Sequence, residues 1–264
     1  MRALTVFITA TMLGTVVCAE PRLESVYPIG GARGSVIQLE LRGLELDGAS
    51  VVWLGPATQI FAMEQPDDGA GPGAPRISRT PSSLEAKIDS VTSDTTVSLR
   101  LTIDPAAREG HHSIALLTPR GLSSSVSFRV NPEPVVLETA SKHNTPQTAQ
   151  QVSLPVVMNG RIETEGELDY YTFETEAGRE YLFEVAPAFG LDPVLSLHDR
   201  EGSWFDPERP VVLDSNDDPG RFTWRFEEAG RYLVSVKPFL GVYEPDFAYQ
   251  LRIVPTDAAQ KPGS

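Results

Sequence analysis

Apolar residues in this chain recur at every second position in short runs, and that period places them along one face of a β-strand. In the first half the clearest runs are Ile37/Leu39/Leu41, Val97/Leu99/Leu101/Ile103 and Val126/Phe128/Val130. Between them stand Gln38, Glu40, Ser98, Arg100, Ser127 and Arg129, which are expected to face water. The second half repeats the pattern more sharply in Tyr171/Phe173, Tyr181/Phe183/Val185, Phe222/Trp224/Phe226, Tyr232/Val234/Val236 and Tyr249/Leu251/Ile253, so aromatic rings are expected to fill that inner face. Helical spacing is almost absent. A strand with one apolar face has to bury it against a second sheet, so many such runs predict antiparallel sandwiches.

Turn signals punctuate the runs at Pro28-Ile29-Gly30-Gly31, Asp47-Gly48, Glu109-Gly110, Ala177-Gly178 and Ala229-Gly230. Asn131-Pro132-Glu133-Pro134 breaks the pattern midway, because proline cannot donate to a strand ladder and stiffens an extended connection. The organisation expected is a first sandwich over 20–131, a linker over 132–139, a second sandwich over 140–255 and an unstructured tail over 256–264. Glu64 to Ser83 is rich in Gly, Pro, Asp and Ser and lacks any period, which reads as a long loop inside the first sandwich.

Met1 to Ala19 has the form of a secretory signal: Arg2 at the start, an apolar run from Ala3 to Val17, and small residues closing at Cys18-Ala19. Cleavage is expected after Ala19, giving a secreted or periplasmic protein. Bulky Val17 ahead of Cys18 speaks against a lipidated cysteine. The apolar run falls short of the ~20 residues a spanning helix needs, and no later stretch approaches that length, so the chain is not expected to span a membrane. Loss of the leader removes the single cysteine, leaving no disulfide or thiol chemistry. The formal charge of −14, with basic residues scattered singly, argues against nucleic acid as a partner and leaves cations and neutral polymers open.

No G-x-S-x-G, H-E-x-x-H, P-loop or dinucleotide fingerprint occurs, so no catalytic residue is assigned. The acidic group Asp214, Asn216, Asp217 and Asp218 offers hard oxygen ligands of the kind calcium prefers. As an EF-hand loop it fails, because Pro219 stands at the turn glycine and Arg225 at the bidentate glutamate. Carboxylates bonding turn amides are the plainer reading, and Asp169 and Asp192 are read the same way. Trp204 and Phe205 lie in a stretch of loop composition where an aromatic ring can stack on a sugar or a peptide, or pack over the sandwich end. His111 and His112 are neighbours on one strand and so point to opposite faces, which disfavours a shared metal. His143 and His198 read as ordinary surface or edge residues.

Pro21 to Gly31, then Gly34, Leu41-Arg42-Gly43-Leu44-Glu45-Leu46 and Thr118-Pro119-Arg120-Gly121-Leu122-Ser123, resemble an IPT/TIG-type immunoglobulin-like domain. In the second half, six pieces resemble the bacterial pre-peptidase C-terminal family when taken in order. They are His143-Asn144-Thr145-Pro146, Asn159-Gly160-Arg161-Ile162, Asp169-Tyr170-Tyr171-Thr172-Phe173, Leu191-Asp192-Pro193-Val194-Leu195, Asn216-Asp217-Asp218 and Ala229-Gly230-Arg231-Tyr232. These resemblances imply an all-β chain of two tandem antiparallel β-sandwiches, the first immunoglobulin-like and the second jelly-roll-like. They also imply an exported, non-catalytic accessory or binding module whose partner is an envelope protein, a polysaccharide or a separate exported enzyme. Two other functions stay open at this point: a secreted hydrolase with its site hidden in loops, and an adhesion or spacer component.

Overall fold

A computed structural model describes residues 19–56, 84–139, 142–198, 220–241 and 243–259. Strand dominates it, in four sheets stacked as two sandwiches, and the all-β expectation holds. Helix among the described residues amounts to two three-residue 3-10 turns and one turn of α-helix at Thr256–Ala259. No helix there is long and apolar enough to cross a membrane.

The first sandwich comprises β1 (Arg22–Tyr27), β2 (Gly30–Ala32), β3 (Val36–Leu44), β4 (Val51–Pro56), β5 (Leu84–Val91), β6 (Thr96–Ile103), β7 (Gly110–Thr118), β8 (Gly121–Leu122) and β9 (Val126–Asn131). One sheet runs β1-β3-β6-β5; the other runs β2-β9-β7-β4, with β8 beside β7. The period-two residues meet between them. Leu39, Leu41, Val97, Leu99, Leu101, Ile103, Phe128 and Val130 are all buried in one cluster, each such side chain contributing roughly 1.5–3 kcal/mol by leaving water.

The second sandwich comprises β10 (Val135–Leu137), β11 (Gln150–Gln151), β12 (Val156–Arg161), β13 (Asp169–Thr175), β14 (Glu180–Ala188), β15 (Pro193–His198), β16 (Gly220–Arg225), β17 (Gly230–Pro238) and β18 (Ala248–Pro255). Its sheets are β10-β12-β18-β14-β16 and β11-β13-β17-β15. Aromatic rings do fill the inner face. Phe226 alone sits within 4.5–6.4 Å of the rings of Tyr232, Tyr181, Phe173 and Phe183. Trp224 packs partly buried against the same cluster.

The ladders are antiparallel except at three short edge strands, β2 on β9, β10 on β12 and β11 on β13, which run parallel. Gly30-Gly31, read as a turn signal, belongs to one of these edges. The stretch 132–139 contains β10, and Glu133 within it meets Arg252 of β18 at 2.5 Å. Thr256–Ala259 pack their helical turn near β14 and β18.

The sheet β12-β18 is buried on both faces. Val156, Met158, Tyr249 and Leu251 face the core, while Asn159 and Gln250, paired in register on the opposite face, are buried as well. What covers them is the first sandwich: Asn159 Nδ2 donates to Gly30 O at 3.0 Å. A Cβ on Gly30 would collide with the Gln250 amide and the Arg129 carbonyl, so only glycine allows this approach.

Candidate functional site at the junction of the sandwiches

Where the two sandwiches meet, an open cleft of about 280 Å³ is lined by Tyr27, Glu138, Thr139, Lys142, His143, Asn144, Glu163, Thr164 and Glu167. Three of its neighbours are placed by three different elements. Glu138 follows β10, and its backbone amide donates to Asn159 O of β12 at 3.0 Å, which fixes it at the sheet edge. His143 lies in the connection before β11 and accepts at its carbonyl from Tyr170 N at 2.8 Å. Asp169 opens β13. Parallel pairing at one edge and a β-strand start at another thus bring Glu138, His143 and Asp169 together, with one ligand atom of each within 4.8 Å of the others.

The two carboxyls sit among hydroxyl and amide donors. Tyr27 donates its hydroxyl proton to Glu138 Oε1 at 3.0 Å, and Arg161 N donates to Glu138 Oε2 at 2.9 Å. Tyr249 donates to Asp169 Oδ2 at 2.6 Å and shares a 2.7 Å hydrogen bond with Tyr171. Gly160 makes room for this phenol chain, because a Cβ there would strike the Tyr249 ring and hydroxyl. His143 Nε2 stands 3.5 Å from Asp169 Oδ1, its ring 5.3 Å from that of Tyr171.

Burial dominates the electrostatics. It pushes the Glu138 carboxyl up to about 7, with the Asp169 charge adding to the rise and the Arg161 amide, Tyr27 hydroxyl and His143 opposing it. Burial likewise raises Asp169 to about 7, helped by Glu167 and Glu163 and opposed by the Tyr249 hydrogen bond. The Tyr27 phenol is raised as well, by burial first and the Glu138 charge next. The guanidinium of Arg161 lies 3.9 Å over the Tyr27 ring, an arrangement that favours the cation against the ring face. Glu167 is spoken for locally: its Oε2 accepts from Thr164 N at 2.7 Å and from Glu163 N, closing the turn at the cleft mouth.

Several sequence expectations change here. Asp169 is a strand residue, 1% exposed, and not a turn carboxylate. His143, expected at the surface, is 6% exposed beside it. His143 lies outside any alternating apolar run, whereas Asp169 stands two residues before Tyr171 and shares the inward face of Tyr171 and Phe173, where alternation favours an apolar side chain. His198 is also buried, on the face of β15 opposite Leu195 and Leu197, and its Nε2 lies 2.8 Å from Ser235 Oγ. At 2% exposure on each side, that Ser–His contact is a buried hydrogen bond. His111 and His112 do point apart, the first exposed against Ser127 and the second buried against Arg108 O. Asp214, Asn216, Asp217 and Asp218, together with Trp204 and Phe205, lie outside the described residues, as do the signal-like segment 1–18 and the loop 64–83.

No protein-family model and no curated protein matches the chain. Among solved structures it is similar to the pre-peptidase C-terminal domain of a collagenase from Bacillus anthracis. The identity there is 19%, over 40% of this chain and 93% of that one, with a TM-score of 0.32. It is also similar to SGBP-B of the Bacteroides ovatus mixed-linkage glucan utilization locus in complex with a mixed-linkage heptasaccharide, at 11% identity over 78% and 70% of the two chains and a TM-score of 0.23. A Salmonella alpha-2-macroglobulin mutant matches at 10% identity over 90% of this chain and 15% of that one, with a TM-score of 0.21.

Proposed function

We propose that the chain is an exported, non-catalytic binding or accessory module of the bacterial cell envelope or exterior, and that its junction cleft holds a hard divalent cation, calcium first. The observation that carries the reading is the facing pair of carboxyls, half-buried Glu138 and buried Asp169, each held near neutrality by burial and served by phenol, amide and imidazole groups. Two carboxyls that ionise together in a confined space repel, and a bound cation relieves the repulsion. Oxygen donors at the mouth, from Thr139, Asn144 and Thr164, suit calcium, which takes six to eight oxygens in flexible geometry. The ordered motifs from His143 to Tyr232 support a pre-peptidase C-terminal-type second sandwich, and those from Pro21 to Ser123 an IPT/TIG-type first one. Its macromolecular partner, in this reading, is an envelope protein, a polysaccharide or a separate exported enzyme.

The test is a calcium titration of the full chain, with magnesium and zinc alongside, read by melting temperature and by heat. A cation that binds only the folded state stabilises it by RT ln(1 + [L]/Kd), about 2.7 kcal/mol at 100 times Kd. Glu138→Gln with Asp169→Asn should abolish the response and keep the strand signal in circular dichroism. If no cation shifts the melting temperature or gives heat, the cation site falls. A pull-down from envelope extract with and without the active cation then identifies the partner.

A second reading, a spacer, is favoured by one observation: the sandwiches touch through buried polar contacts at Asn159 and Gly30, which suits a fixed relative orientation.

A further inference from the structure

The sandwiches meet at three places remote in sequence. Phe189, in the turn between β14 and β15, packs its ring against the hydrophobic core of the first sandwich. Its φ of 59° lies in the left-handed region, which a residue with a Cβ rarely adopts. Such conformations persist where the surroundings over-determine them. Arg42 of β3 reaches Asp246, in the connection before β18, at 3.4 Å. The third place is the end of β1, where Tyr27 meets Glu138 and Arg161 while Gly30 meets Asn159.

Among the described residues that line the cleft, Tyr27 alone comes from the first sandwich. Its hydroxyl holds Glu138 Oε1, so one wall of the cleft, and one of the two hydrogen bonds that orient the Glu138 carboxyl, exist only while the sandwiches are docked. Phe189 and Arg42 hold that docking without lining the cleft.

We propose that the cleft is a composite site whose occupant binds the docked pair of sandwiches more tightly than the undocked pair, so that occupation of the cleft and docking are coupled. The inference rests on the cation reading of the cleft given above. Coupling of this kind is reciprocal: whatever loosens docking must weaken the ligand by the same factor, and the ligand must tighten docking.

The experiment uses the full chain with calcium as the probe and Phe189→Gly as the variant, since glycine accepts the left-handed turn while removing the ring. Arg42→Gln is the second variant, at a partly exposed side chain that meets Glu40 of its own strand as well as Asp246. Rotational correlation times of the two sandwiches, from amide relaxation, report docking; calorimetry reports calcium affinity. The wild type should tumble as one body, and Phe189→Gly should give two shorter correlation times with calcium affinity reduced between 5- and 150-fold, the usual span of such coupling. Saturating calcium should bring the variant back toward one body. Arg42→Gln should move both readouts in the same direction by less. A variant that loosens with unchanged affinity overturns the coupling alone. So does a variant that stays docked, or a wild type that tumbles as two bodies. A wild type that tumbles as one body and takes up no calcium overturns the cation reading, and the coupling with it.

Discussion

Tyr27 of the first sandwich donates its hydroxyl proton to Glu138 of the second, across 111 positions of sequence and 3.0 Å of space. The same phenol lies under the guanidinium of Arg161, so one ring joins a carboxyl and a cation of the second sandwich to a strand of the first. Tyr27→Phe keeps the ring and removes the donor. A partly buried carboxyl then loses one of its two hydrogen bonds, and unfolding of the full chain in denaturant should show a loss of about 1–2 kcal/mol. A midpoint unchanged from wild type would show that the bond contributes nothing net.

The pH dependence follows from the two raised carboxyls. Glu138 and Asp169 stay protonated in the folded chain up to about 7, while in the unfolded chain they ionise near the ordinary carboxyl values of 4.5 and 3.8. Between those limits the unfolded state binds fewer protons, so the stability these groups contribute is complete below about pH 4 and is lost as pH rises through about 7. In the absence of added cation the melting temperature should therefore fall between pH 5 and pH 8. Glu138→Gln should remove a share of that fall on the order of 3 kcal/mol. A variant whose stability falls with pH as steeply as the wild type's would contradict the assignment.

Within the second sandwich, Tyr249→Phe tests the phenol chain. The change leaves Asp169 Oδ2 and the Tyr171 hydroxyl, both buried, without their shared partner. Loss of such a bond costs about 1–3 kcal/mol, and the apparent titration of Asp169, followed by carbon-13 NMR, should move upward because the hydrogen bond that held it down is gone. An Asp169 titration that stays in place would place the donor elsewhere.

The alternation of apolar residues was enough to read the core. Leu39, Leu99, Phe128, Phe183 and Tyr249 sit where a period of two puts them, because a half-buried strand leaves no other face for them. The junction was not legible for the same reason. Asn159 and Gln250 are polar and point away from the core of their own sandwich, yet they are buried, since the first sandwich covers a face that alternation assigns to solvent; Asp169 is a carboxylate on the inward face of Tyr171 and Phe173, and His143 lies in a connection outside any run. Glu138 and Tyr27 meet only through tertiary docking, which no local pattern encodes. One signal did exist: His143-Asn144-Thr145-Pro146 and Asp169-Tyr170-Tyr171 were two of the pieces that carried the family resemblance, and His143 Nε2 and Asp169 Oδ1 of these pieces stand 3.5 Å apart. The left-handed Phe189 left no trace in composition beyond the glycine that follows it.

Asn131-Pro132-Glu133-Pro134 has the composition of a linker, and a linker of that kind invites proteolysis, but Asn131 and Glu133 are engaged. Asn131 is 1% exposed and its carbonyl accepts from Arg33 N at 3.1 Å. Glu133 meets the half-buried Arg252 guanidinium, which also reaches Glu184 at 3.5 Å, and Val135–Leu137 pair along β12. A protease needs several residues in extended, unpaired form, so the native junction should resist thermolysin, which cuts beside Val and Leu, for as long as the sandwiches stay folded. Arg252→Gln leaves Glu133 and Glu184 facing each other without their shared cation, at a cost of about 1–3 kcal/mol for a partly buried network. Cleavage among Val135, Val136 and Leu137 should then appear at protease concentrations that leave the wild type whole. The fragments identified by mass would locate the opening. Prompt cutting of the wild type at those three residues would mean that β10 does not hold the junction closed.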